Sequence, residues 1–476
     1  MSGSNAPRGD APERQHAEFQ PGFVWLALAA AIFGGFAIGG HLAFVIGFGY
    51  PLGASFPALV QAHGHAQLIG WAGLFVMGVS LHFIPRLSSV PLPHRRWIGT
   101  ILWLMGVGLF LRMFGQPALP YLGRTPVFAP LVWLVAASGI LEGAGILLYL
   151  FLLVRTLRGT GDLATQPAFA AVRPYFGMMV AGWVVYAAVN LLLLLQMALH
   201  RQAVLHQGWN GIAIRSFVDL TLLPVAMAHS IRLFPMFLAL SAAFWPVRAT
   251  AYVYLGGVGL QLIPAVLSLL GIEAGWFAVL EGAGAMLKGG VILWFTWQLD
   301  ILARRRPVER PARFLSSGPD RAPTRPGLPD YGEFGRFELL TYSAFAWLVL
   351  AAGFEMINGA AAVAALQPPV APSVIRHMYL LGFITLLVFG VSVRMLPGFL
   401  KKKAVASPSL VEPTIWLGNA AAVFRVLPFI LPPMLLDFAP AIGRIARVAF
   451  GLSGMIALAA VVCLAANLWR TARPSG

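Results

Sequence analysis

Twelve long apolar runs fill this sequence and limit its fold more than any other feature. A helix needs about 20 apolar residues to cross a hydrocarbon core. Runs of that kind fall at roughly 22–49, 63–84, 97–115, 127–154, 175–198, 216–240, 249–271, 275–302, 339–366, 375–397, 412–432 and 441–469. Clusters of Pro, Gly and charge break them, as at Pro91-Leu92-Pro93-His94-Arg95-Arg96. Of 476 residues, 59% are hydrophobic and 11% charged, against about 25% charged in a soluble domain. The expected fold is therefore all-α: a single integral membrane domain of about 12 transmembrane helices in a lipid bilayer.

The net charge of +16 does not point to nucleic acid. Lys and Arg gather in alternate loops: Arg86, Arg95 and Arg96, then Arg155, Arg158 and Arg173, Arg248, Arg304-Arg305-Arg306, and Lys401-Lys402-Lys403. That alternation is the positive-inside pattern. It predicts both termini in the cytoplasm and His63, His65 and His377 at the opposite ends of their spans. The tail 1–20 is polar and lacks the basic and apolar regions of a signal peptide. The linker 303–338, rich in Pro and Arg, reads as a cytoplasmic connector. A single cysteine, Cys463, excludes a disulfide framework and thiolate metal sites.

The sequence also repeats itself. His65, Leu68, Gly70, Gly78, Val79, Ser80 and Pro85 of span two recur as His377, Leu380, Gly382, Gly390, Val391, Ser392 and Pro397 of span ten, at the same offsets. Span six follows more weakly, with Arg215 in the place of His65 and Arg232 three residues before Pro235. There His82 precedes Pro85 and Arg394 precedes Pro397. Spans four and eight share Leu-Glu-Gly-Ala-Gly at Glu142 and Glu281, followed seven residues on by Tyr149 and Lys288. Spans three and seven share Gly106-Val-Gly108 and Gly257-Val-Gly259. This predicts a pseudo-threefold arrangement of four-helix units, at about 21–160, 170–302 and 339–472.

Histidines within reach of lipid need a partner, a cavity or a metal. If the units are related by rotation about the membrane normal, His65 and His377 face one another across a common axis at one depth. A haem b held by two axial imidazoles requires that placement. Gly64, Gly70, Gly73 and Gly382 leave space for a planar macrocycle. His63, two residues from His65, points elsewhere on a helix, where it could reach a second ligand or metal. His229 lies roughly 20 Å lower, at 1.5 Å per residue from Arg215. Arg232 and Arg394 are candidates for haem propionates, or else snorkel to the interface. Glu142, Glu281, Glu355, Asp219 and Lys288 are ionisable groups inside spans, as proton carriers or as paired structural groups.

His-x-His-x-x-x-x-Gly opening span two, Arg-x-x-Pro closing span six, and the His…Gly…Arg of span ten resemble the NnrS family. Those are twelve-span bacterial inner-membrane proteins of nitric oxide metabolism, described as containing haem and copper. The threefold plan is also similar to the catalytic subunit of haem–copper oxidases. The resemblance implies a haem b with copper as a further cofactor and a small diatomic ligand, and matches His63 and His65 to the family's paired histidines and His377 to its span-ten motif; with His229, which in this register cannot share one metal with His65, these histidines are the candidate metal ligands. The resemblance also implies cofactor contacts from His65, His377, Arg232 and Arg394. The chain departs from the oxidases in lacking a second histidine beside His377 and any histidine pair in span seven, so an oxygen-reducing binuclear centre is not expected. The expected role is nitric oxide metabolism or protection against nitrosative stress. The alternative is a transporter or channel built around an intramembrane ionisable site.

Overall fold

The computed structural model describes residues 19–88, 90–159, 167–238, 240–306, 331–431 and 439–473. Twelve helices in it are long and apolar enough to cross a membrane. They are α1 (Gly22–Gly47), α2 (Phe56–Ser88), α3 (Trp97–Leu122), α4 (Phe128–Arg158), α5 (Phe169–Leu199) and α6 (Gln207–Phe237). The second six are α7 (Val247–Leu269), α8 (Phe277–Leu299), α9 (Phe337–Val363), α10 (Pro372–Phe399), α11 (Pro408–Ile430) and α12 (Pro440–Ala472). Large apolar side chains such as Phe33, Trp103, Phe110, Leu147 and Leu192 stand exposed on the outside. A surface of that kind suits hydrocarbon and not water.

The most buried helices are α2, α6 and α10, with 89%, 78% and 78% of their apolar windows covered. They form the inside of the bundle. The others close around them with a threefold rhythm of contacts. Within units, α3 packs on α4, α7 on α8 and α11 on α12. Between units, α4 packs on α5, α8 on α9 and α12 on α1. Helices in lipid gain little from hydrophobic burial against one another, so close approach of small residues carries the packing. A Cβ on Gly454 of α12 would lie 2.4 Å from the Gly40 Cα of α1, and one on Gly282 of α8 would lie 2.5 Å from the Gly359 carbonyl of α9.

Each inner helix widens into π-helical turns at matching places: Ala66–Gly73, Phe217–Leu222 and Met378–Thr385. These follow directly on His65, Ser216 and His377. Pro85, Pro235 and Pro397 all lie inside the final turns, and the helices run on past them. The repeat read from the sequence is thus also a repeat of backbone shape.

Several boundaries differ from those expected. α2 begins at Phe56 and α6 at Gln207. His63 therefore lies about two turns inside α2, roughly 10 Å from its start at 1.5 Å per residue, and not at the lip. The polar stretches ahead of the apolar runs are helical because their side chains find protein partners: Gln61 bonds the main chain of Leu205 and the amide of Gln116. At the N-terminal end, Phe19 is buried, its ring 5.4 Å from that of His82 and 5.1 Å from that of Phe399. The polar character expected of 1–20 does not extend to it. Residues 1–18 and most of the 303–338 linker lie outside the described residues.

Candidate functional site

The residue just before or near each π-helical turn faces the junction between its own unit and the next. The three junctions are filled differently, and that difference defines the candidate site.

At the first junction His65 turns towards α4 and α5. Its Nδ1 is 2.8 Å from the Tyr186 hydroxyl and its Nε2 is 2.9 Å from Glu142 Oε1. An ionised Glu142 can only accept, so Nε2–H donates and Nδ1 accepts the Tyr186 O–H. Asn190 reaches the other Glu142 oxygen at 3.5 Å. Arg112, 1% exposed, lies within electrostatic reach of Glu142 and Tyr186. Gly108, from the repeated Gly-Val-Gly motif, makes room for the Glu142 side chain. His65, Glu142, Arg112, Tyr186 and Asn190 are all buried.

At the second junction stands Arg215, the counterpart of His65, and around it an ion-pair network. Lys288 Nζ lies 2.9 Å from Asp219 Oδ1 and 2.7 Å from Glu355 Oε1. Tyr379 donates to Glu355 Oε2 at 2.6 Å. Tyr254 donates to the Asp219 carbonyl at 2.8 Å. Arg215 donates to Gln261 and stands 3.8 Å from Asp219 Oδ2. The sequence motif that placed Lys288 seven residues after Glu281 thus puts an ammonium among carboxylates, where Tyr149 of the first unit meets the Ser80 hydroxyl at 2.7 Å.

The third junction is open. A cavity of about 850 Å³ runs among α1, α2, α6, α10, α11 and α12. That is within the range of cavities which hold small molecules and cofactors. His377 lines it, and so does His63, reaching across from the first unit. His377 Nδ1 is 2.7 Å from the Ser373 carbonyl, and His63 Nδ1 is 2.8 Å from the Gly35 carbonyl. A carbonyl only accepts, so both Nδ1 atoms carry the proton. In the neutral ring that leaves the lone pair on Nε2. The His63 ring packs against Gly39, where a Cβ would meet it at 2.5 Å. Arg425 and Arg376 line the same cavity; Arg425 stacks on Phe450 at 4.7 Å and lies within electrostatic reach of both histidines. Phe36, Trp71, Phe429 and Phe450 supply apolar wall, and Gln67, Asn210 and Thr385 supply polar edges.

The expected site is corrected in three respects. His65 does not share a site with His377: both its ring nitrogens are occupied at the first junction, and it does not line the cavity. Symmetry-related side chains meet on an axis only if they point at it, and these point outward to successive junctions. His63 takes the place instead, because two residues turn a helix by about 200°. Secondly, Arg232 and Arg394 do not line the cavity. Arg394 stacks on Phe237 and Phe334 at 4.5 Å each, towards the far end of the inner helices. Thirdly, His63, His65, His229 and His377 do not converge. His229 gives its Nδ1 proton to the Val225 carbonyl at 2.7 Å, between the rings of Phe83 and Phe176. Among the described residues no group of three His, Cys, Asp or Glu side chains is placed to hold a metal ion.

Fold and site together define a multi-pass membrane protein whose described residues include twelve spanning helices and an open inter-unit cavity. No family model matches the chain, and no curated protein matches it.

Proposed function

We propose that this protein binds haem b in the third junction, with His63 and His377 as the imidazoles that hold it. The observation that carries this reading is a shared tautomer. Two neutral rings on one cavity are each locked through Nδ1–H to a main-chain carbonyl, which leaves Nε2 as the ligating atom. The other residues suit the same group. Arg376 and Arg425 offer two guanidiniums to propionates, and carboxylate recognition favours that geometry. Aromatic walls suit a porphyrin face. A haem bound there would supply a redox-active iron.

Combined with the likeness to NnrS, this supports a role in nitric oxide metabolism or protection against nitrosative stress, in a bacterial inner membrane with both termini cytoplasmic. The cavity would then open on the non-cytoplasmic side. His377, whose ring bonds only the Ser373 carbonyl of its own helix, would be the freer of the two to make room for a small diatomic ligand, since His63 is held against α1 by the Gly35 carbonyl. Copper forms no part of this reading, since the donor set it would need is not assembled.

Purified protein from a haem-replete host should show a Soret band and yield b-type haem on extraction. A colourless preparation would overturn the proposal. A second reading, a carrier or channel, rests on the charged network of the second junction. It predicts ion or solute flux in vesicles from protein that carries no chromophore.

A further inference from the structure

The seam between α1 and α3 carries a groove that the haem reading does not use. It holds about 420 Å³ and is lined by Leu26, Leu102, Trp103, Gly106, Val107 and Phe110, with no charged side chain among them. The two helices meet where side chains are missing. A Cβ on Gly22 would lie 2.7 Å from Leu102, and one on Gly106 would lie 3.3 Å from Leu26. Gly106 is the floor of the groove. Trp103 and Phe110 stand about one turn to either side of it, 75% and 61% exposed, and form its rim. A trough of that kind fits something narrow, flexible and apolar. From Leu102 to Phe110 is eight residues, about 12 Å along the helix axis. Half of the hydrocarbon core is about 15 Å. The groove is thus as long as the depth of one leaflet, which is the reach of an acyl chain.

The charge at one end selects the headgroup. Arg96 stands at the N-cap of α3. Arg96, Gly99, Trp103, Gly106 and Phe110 follow one another at intervals of three or four residues, so they share one face of the helix. Arg95 precedes Arg96, both are exposed, and Arg86 at the end of α2 lies within electrostatic reach of Arg95. Between Phe19 and Arg158 the sole carboxylate is Glu142, which His65 holds at 2.9 Å inside the first junction. Helices α1 to α4 therefore bring positive charge to this end of the groove and no negative charge. Guanidinium groups at a membrane surface attract anionic headgroups and pair well with phosphate.

We propose that the groove binds one anionic phospholipid, with an acyl chain laid along Gly106 and the phosphate at Arg95 and Arg96. A zwitterionic lipid offers the same chain without the net charge, so the arginines set the preference. The chain fills a seam that the two helices leave open, and so steadies α1. That helix also supplies the Gly35 carbonyl which holds His63. The lipid site does not depend on haem.

The test is fluorescence quenching on the full chain, reconstituted in phosphatidylcholine vesicles with a minor share of phosphatidylglycerol. Bromine on the acyl chains of one lipid or the other reports which of them reaches Trp103. The Trp103 signal is the difference between wild type and Trp103→Phe. Molecule for molecule, brominated phosphatidylglycerol should quench it roughly fivefold more than brominated phosphatidylcholine, the gain expected from one nearby cation. Arg95→Gln combined with Arg96→Gln should abolish that preference. Gly106→Leu, which fills the floor, should abolish it with both arginines in place. Lys402→Gln combined with Lys403→Gln removes two charges from the loop after α10 and should leave it intact. Equal quenching by the two lipids would show an ordinary lipid annulus. Equal loss from the lysine variant would show surface potential alone. No quenching by either lipid would show another occupant, such as a second copy of this chain. Each of these three results would overturn the proposal. Should Gly106→Leu fail to fold, the exposed arginine pair decides by itself.

Discussion

His63 and His377 hold their rings in the same way. Each gives its Nδ1 proton to a main-chain carbonyl, at 2.8 Å to Gly35 and 2.7 Å to Ser373, and each presents its ring to one cavity. Their sequence positions are not equivalent, since the counterpart of His377 is His65. The site is therefore not symmetric. It joins a repeated position of the third unit to an unrepeated histidine of the first.

The first prediction follows from that asymmetry. His63→Ala and His377→Ala should each lose haem, while His65→Ala should keep it. The cost of His65→Ala should appear in stability, about 1–3 kcal/mol, because Glu142 loses a buried donor. Haem per protein by absorbance and the thermal midpoint separate the two effects. A folded, colourless His65→Ala protein with pigmented His63→Ala would reverse the assignment.

Arg376→Gln and Arg425→Gln should each weaken haem retention by roughly tenfold, equivalent to about 1.4 kcal/mol. Arg394→Gln should leave retention unchanged, since its guanidinium rests on Phe237 and Phe334. Transfer of haem to an excess of a haem-scavenging globin measures all three. Equal loss from Arg394→Gln would argue against the cavity.

Much of this was legible in the sequence. Hydrophobic run length gave twelve helices, and shared offsets gave the repeat. The Leu-Glu-Gly-Ala-Gly motif pointed to Glu142 and Lys288, both of which lie in buried polar clusters. What was not legible was direction. Nothing in a one-dimensional repeat says whether His65 and His377 point at the axis or at a junction. The π-helical turns after them further shift which face each side chain presents. Arg425 was overlooked, although an arginine well inside an apolar span with no acid beside it is itself a functional signal. Arg112 carried the same signal, and it answers Glu142.

Acid should loosen the turn after α8. Asp300, just beyond the span, has left-handed backbone, φ 60°. Burial works against its charge, but the Arg306 N–H at 2.8 Å and Arg305 Nε at 3.1 Å outweigh that and hold the carboxyl below its usual range. A depressed folded value stabilises above the unfolded carboxyl pKa, and that contribution is lost as pH falls through the folded one. Asp300→Asn should therefore flatten the acid limb of a stability profile. A profile identical to wild type would rule out this contribution.

Closure of the ring at α1 and α12 depends on missing side chains. Gly454→Val puts a Cβ 2.4 Å from the Gly40 Cα, a backbone contact that no rotamer relieves. Overpacking of this kind costs about 1–3 kcal/mol. Gly143→Ala, where an added Cβ meets nothing within 4 Å, should be neutral. Thermal unfolding of both variants in one detergent tests the contrast, and equal midpoints would contradict it.

The Lys288 network should show strong non-additivity. Lys288→Met strands the Asp219 and Glu355 carboxylates without their shared ammonium, leaving Arg215 at 3.8 Å from Asp219 and Arg376 within electrostatic reach of it. Breaking a buried pair by removing one partner costs about 3–5 kcal/mol. Glu355→Gln alone is gentler, because Lys288 retains Asp219 at 2.9 Å. The double variant Lys288→Met with Glu355→Gln removes one charge of each sign and leaves Asp219 facing Arg215. It should unfold at a higher temperature than Lys288→Met alone, since the second change removes the charge that the first left uncompensated. Tryptophan fluorescence during thermal or denaturant unfolding reads this directly. If the two costs simply add, the ammonium and the Glu355 carboxylate are not partners in the way their 2.7 Å separation requires.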